Sequence, residues 1–99
     1  MARWVAIFED NPHAHKVRED HHAAHFEYLA RHAEKIQIAG GLRPEPDKAF
    51  CGGLWVLAVD GREEAAQLCE NDPYFILGLR TSYRLYSWGK APVYGDVIL

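Results

Sequence analysis

Two short stretches of this chain are apolar at consecutive positions rather than at every second one, and they restrict the fold more than any other feature. Residues 3–8, RWVAIF, and 54–59, LWVLAV, are rich in aromatic and β-branched side chains and have the length of strands. Successive side chains of a strand point to opposite faces, so a sheet built on these two carries apolar surface on both sides. Both sides need a cover.

Between them, residues 20–41, DHHAAHFEYLARHAEKIQIAGG, change their period. Up to Lys35 the spacing is helical: Phe26, Leu29, Ala33 and Ile36 fall on one face, with Asp20, Glu27, Arg31 and Glu34 opposite. His21, His25 and His32 lie along the seam, where an imidazole is half desolvated yet within reach of a ligand. From Ile36 to Ala39 the pattern alternates around Gln37, a second strand closed by Gly40 and Gly41. The polar NPHAHKVRED ahead of the helix reads as a loop, and residues 42–50, with Pro44, Pro46 and Asp47, as a connection between strands.

Further on, Asp60 with Glu63 three residues later makes a capping-box start for a helix through Glu70, whose apolar face is small: Ala65, Ala66, Leu68 and Cys69. Asp72 is placed to cap a second, short helix with Pro73 in its first turn and Gly78 at its end. Residues 82–88 form the last strand, Tyr83 and Leu85 alternating with Arg84 and Tyr86. The order β-α-β-β-α-β fits an α+β fold, a ferredoxin-like sandwich with both helices on one face of an antiparallel sheet. The helices leave the other face open.

A second sheet is the natural cover. Packing two such sheets across a two-fold axis would bury the leftover surface at roughly 25 cal/mol per Å² of apolar area. A homodimer is therefore expected, with residues 93–99 along a sheet edge or the partner. Ninety-nine residues, 48% of them apolar, suit a single domain over residues 1–99. The formal charge of −3 comes from intermixed acids and bases, which argues against nucleic acid as a partner. Cys51 and Cys69 are too few for a disulfide framework and read as reduced packing residues. The opening MARWVAIFED meets acids too early for a signal-peptide core, and no apolar run approaches the ~20 residues that span a bilayer. A soluble cytoplasmic protein with no membrane partner is expected.

The run HFEYLARHAEKIQIAGG resembles the histidine, leucine-rich helix and strand end of YciI-like (YCII-related) proteins; Asp72-Pro73-Tyr74 with Gly78 resembles their Asp-Pro-Tyr turn, and Trp88 their late tryptophan. The resemblance covers nearly the whole chain. It implies a dimeric α/β barrel with a pocket beside each sheet and a catalytic His/Asp pair, which falls here on His25 and Asp72. Arg18 matches an arginine frequent in the family. Gly41 stands where the family usually has proline, and His22 where a second arginine is frequent.

In such a pair the carboxylate fixes the imidazole tautomer and raises the basicity of the other ring nitrogen, so that it can move a proton. Ser82, Ser87 and Thr81 sit in no elbow-like context, and neither cysteine has an activating neighbour. The chemistry expected is proton abstraction next to a carbonyl, giving isomerisation or elimination. The bland account of the same residues is a hydrogen-bonded boundary histidine and an aspartate that only caps a helix. His21 and His25, four apart, have a chelating spacing, with Asp72 or a loop histidine, His13 or His15, to complete the set; a solvated first turn explains them as well, and no metal site is assigned.

Arg18 and Arg43 suit a carboxylate or phenolate, or are surface charges. Gly40 and Gly41, like Gly52 and Gly53, admit a ligand close to the backbone or simply end strands. Tyr74 either donates its hydroxyl into a pocket or packs. The reading is a small cofactor-independent lyase or isomerase for a compact carbonyl or phenolic metabolite. His25 and Asp72 would be catalytic, and Arg18, Tyr74 and Gly40 would bind substrate. The competing readings are a non-catalytic small-molecule-binding or accessory dimer and a cofactor-free oxygenase of similar architecture.

Overall fold

The structure, a computed structural model, describes residues 2–96. Four strands form one antiparallel sheet: β1 (Ala2–Asp10), β2 (Ile36–Leu42), β3 (Gly52–Val59) and β4 (Arg80–Ser87), in the order β2-β3-β1-β4. Three helices accompany them, α1 (His15–Arg31), α2 (Arg62–Glu70) and α3 (Pro73–Ile76). The expected α+β, ferredoxin-like order is present. The two runs that are apolar on both sides occupy the inner strands β1 and β3, paired from Ala2 with Val59 to Glu9 with Gly52.

The core lies on the helix side. Phe8 meets Trp55 edge to face at 4.8 Å, Leu57 and Val59 are fully covered, and Ala65, Leu68 and Cys69 of α2 close over them. Burying each such large side chain stabilises the fold by about 1.5–3 kcal/mol. On the other side of the sheet Val56 is buried among its neighbours, but Ile38, Leu42 and Tyr86 are exposed. Of the expected tail along a sheet edge, residues 97–99 lie outside the described residues, while Val93 and Tyr94 are exposed in a 3-10 turn at Pro92–Tyr94.

Several local expectations are corrected. Helix α1 begins at His15, so most of the polar stretch read as a loop is helical; Lys16 and Asp20 pair across one turn at 3.4 Å, and this solvated turn needs no apolar stripe. The inward face is also different: His25 and Tyr28 are buried, whereas Phe26 is 59% exposed and Ala33 is exposed. His25 therefore lies inside the packed face and not on the seam.

Strand β2 runs through both glycines to Leu42, and its register shifts between Ile36 and Ile38. The extra residue, Gln37, puts Ile36 in the core and turns Ile38 out, although simple alternation gives them one face. The N-cap of α2 is Gly61, without a side-chain cap, and Glu64 instead of Glu63 reaches back to the Asp60 amide at 3.3 Å. Cys69 packs in the core, but Cys51 is exposed.

Candidate active site

Asp72 does two jobs that looked like alternatives. Its Oδ1 accepts from the Tyr74 amide at 3.2 Å, capping α3, and lies 2.7 Å from Nδ1 of His25 on α1. Pro73 in the first turn and Gly78 beyond the end, at φ +88°, fix the short helix in place. The Tyr74 ring stacks on the imidazole with centroids 3.9 Å apart. Asp72 is wholly buried and His25 nearly so. As a carboxylate Asp72 only accepts, so Nδ1 carries the proton and Nε2 is left as the basic nitrogen.

His25 forms part of the wall of a cavity of about 220 Å³ between α1, β2 and α3. Phe26, Leu29 and Phe50 give that cavity apolar walls, which explains an aromatic side chain on the exposed side of α1. Both glycines of β2 border it. Phe50 occupies the space a side chain on Gly41 would need, the ring coming within 2.6 Å of a Cβ built there, while Gly40 is unobstructed.

The other expected residues are present with altered parts. Tyr74 contributes its ring face, because its hydroxyl donates to the Arg18 carbonyl at 3.2 Å; burial raises its pKa. Arg18 borders the cavity, but its Nη2 donates to Asp10 Oδ2 and, at 3.4 Å, to the Gly52 carbonyl. Its guanidinium lies 5.0 Å from the centre of the Phe50 ring, and Arg43 lies over the same ring at 4.9 Å. Helix α1 is interrupted at His21 (φ −126°, ψ 18°), which is exposed while His25 is buried. Among the described residues no three of His, Cys, Asp and Glu group as metal ligands.

Two members of the cluster escaped the sequence reading. Arg80, 6% exposed, donates from Nη1 to Asp10 Oδ1 at 3.1 Å, and its Nη2 lies 3.8 Å from Asp72 Oδ2. Desolvation lowers the Arg80 pKa, opposed by the neighbouring Asp10 and Asp72 charges. Tyr83 and Leu85 face the core, so alternation would turn Thr81 in and Arg80 out. The register shift between Glu9 and Asp10 reverses that, pairing Asp10 with Arg80 and leaving Thr81 exposed. Gly53 completes the arrangement, since a Cβ there would come within 2.8 Å of Arg80 Nη1.

Comparison with known proteins bears on the family and the fold. No curated protein matches the sequence. Among solved structures, the chain is similar to the 5-chloro-2-hydroxyhydroquinone dehydrochlorinase of Burkholderia phenoliruptrix, solved in complex with 2,5-dihydroxybenzoquinone. The identity is 28% and the TM-score 0.78, over 95% of this chain and 99% of that one. A structural-genomics protein of Agrobacterium tumefaciens shares the fold at 14% identity and a TM-score of 0.55, over 100% of both chains. The model of the YCII-related domain matches residues 2–89, and with that match the chain belongs to the YCII-related family.

Proposed function

We propose that this protein is a small-molecule lyase that eliminates a leaving group from a compact hydroxylated ring by proton transfer, with His25 as the base and Asp72 as its orienting partner. The observation that carries the proposal is the 2.7 Å contact between Nδ1 and Asp72 in the wall of an apolar cavity. The similar dehydrochlorinase supports the substrate class. At about 220 Å³ the cavity is smaller than the roughly 300–1,000 Å³ of ordinary ligand pockets, so one ring is the natural occupant.

The chemistry follows from the tautomer. On the keto form of the ring, Nε2 of His25 takes the proton from the carbon next to the carbonyl. The C–H electron pair is delocalised onto the carbonyl oxygen as an enolate; as the carbonyl re-forms, that pair becomes the new carbon–carbon π bond, and the bond to chloride on the next carbon breaks with its own pair. One proton and one chloride leave, and no electron acceptor is consumed. Tyr74 holds the imidazole plane by stacking, Gly40 leaves room beside the backbone, and Arg18 closes one wall.

Chloride release from 5-chloro-2-hydroxyhydroquinone, followed with the ultraviolet spectrum of the product, tests this. His25→Gln should slow turnover about 100- to 10,000-fold, the usual share of a general base. Unchanged turnover in that variant would remove His25 from the chemistry. Oxygen uptake in step with turnover would favour an oxygenase, and tight binding without product an accessory protein.

The assembly belongs to the same reading. Ile38, Leu42 and Tyr86 expose apolar surface on the sheet face opposite the helices, which supports a homodimer formed through that face. Light scattering should give twice the 11.3 kDa chain mass, and Ile38→Asp should halve it; a monomeric wild type would refute the assembly. A cytoplasmic location accords with two free cysteines.

A further inference from the structure

We infer that Arg80 is a substrate-contacting residue that binds a ring oxygen and stabilises the negative charge appearing there as His25 takes the proton. The inference rests on the elimination reading and names the substrate feature that reading requires, an oxygen on or next to the carbon that loses its proton.

Four observations carry it. Arg80 borders the same cavity as His25. Its Nη2 makes no hydrogen bond among the described residues, and its buried Nε has no partner among them either. A buried donor without an acceptor is costly; Nε is covered by the fold, so Nη2 is the donor suited to a ligand oxygen in the cavity. Asp72 stands between the two groups, Oδ1 against the imidazole and Oδ2 facing the guanidinium, so one buried carboxylate holds both at the same cavity. Gly53 leaves room for the guanidinium where a side chain would collide with it.

Charge accounting points the same way. With His25 neutral, Arg18 and Arg80 balance Asp10 and Asp72, so an uncharged ring enters a site of zero formal charge. Proton transfer to His25 then creates a cation on the imidazole and an anion on the ring together. Both guanidiniums keep donors beyond their Asp10 contacts, and of the two it is Arg80 that also faces Asp72, the carboxylate bonded to His25. No bond is made or broken at Arg80; the guanidinium donates hydrogen bonds that strengthen as the oxygen gains charge.

The test uses 2,5-dihydroxybenzoquinone as a binding probe, measured by titration calorimetry, beside chloride release from 5-chloro-2-hydroxyhydroquinone. Arg80→Lys keeps a charge but loses the fork, and should weaken probe binding about tenfold. The double variant Asp10→Asn/Arg80→Gln removes one charge of each sign, and should lower both probe affinity and kcat about 100-fold or more. Should the double variant not fold, Arg80→Lys alone decides. Variants that bind the probe as tightly as wild type, or a wild type that does not bind it, overturn the inference. His25→Gln separates the two readings, since it should slow turnover about 100- to 10,000-fold while probe binding still depends on Arg80. Arg80-dependent binding in a wild type that releases no chloride would sink the elimination reading and leave the oxygen-binding role of Arg80 standing.

Discussion

Two ionic groupings lie at different depths in this molecule. Near the C-terminal end of α1, Lys35 pairs with Glu64 of α2 on the surface; further back, His25, Arg80 and Arg18 of the cavity wall form a cluster with Asp72 and Asp10 behind them. The surface pair keeps its water, and such pairs contribute little. The cluster has largely lost its water, so each charge depends on the others, and removing one partner costs far more than the pair contributes. Burial makes the cluster expensive, and among the described residues two of its buried atoms, Arg80 Nε and Asp72 Oδ2, are still left without a hydrogen bond. That expenditure marks the cavity wall as the part of the protein shaped for a ligand.

The sharpest way to break the comparison is Asp72→Ala. It removes the cap of α3, the partner of His25 and a counter-charge of Arg80, and should destabilise the protein by about 3–5 kcal/mol in urea unfolding. A loss within the range of an ordinary surface substitution would mean that the cluster is no more coupled than the Lys35–Glu64 pair.

A second test lies between the two regions. Tyr28, one turn along α1 from His25, donates its hydroxyl to the Leu68 carbonyl at 2.8 Å. Burial, with the Asp72 charge adding to it, pushes its pKa from 10.0 to about 12, and burial also pushes Cys69 from 9.0 to about 12. Both folded values are raised, so this stability is complete below the unfolded values and is lost as pH rises towards the folded ones. Urea midpoints should hold up to about pH 9. They should then fall as pH rises towards 12, because the unfolded chain releases protons that the folded protein keeps. Tyr28→Phe should cost about 1 kcal/mol at pH 7 and make the alkaline fall shallower. A midpoint that does not change from pH 7 to 11 would contradict the burial of both groups.

The smallest effect belongs to the surface pair. Lys35 has its pKa raised and Glu64 its pKa lowered, each chiefly by the hydrogen bond to the other. The pair's contribution is therefore present at neutral pH. It is lost as acid titrates Glu64 through its folded value, or as base titrates Lys35. Lys35→Ala should leave the unfolding midpoint nearly unchanged at pH 7, and 1 M salt should erase any remaining difference. A salt-insensitive loss would mean that this pair too is desolvated.

The sequence by itself determined the order of elements, the two strands that needed covering on both sides and the Asp72-Pro73-Tyr74 cap, because period, β-branching and capping are local properties. His25 and Asp72 were also legible as candidates. Their meeting across 47 positions was expected only from the family resemblance; no local pattern foretells it, since the packing of α1 against α3 brings them together. Nor does any local pattern foretell Arg80. A one-residue shift in strand pairing turns it inward, and register is fixed by contacts with β1 that no window around residue 80 contains. Gln37 repeats the lesson in β2, where the extra residue separates Ile36 from Ile38. Local chemistry wrote the parts; the tertiary structure decided which face each part uses, because a side chain's environment depends on partners distant in the chain.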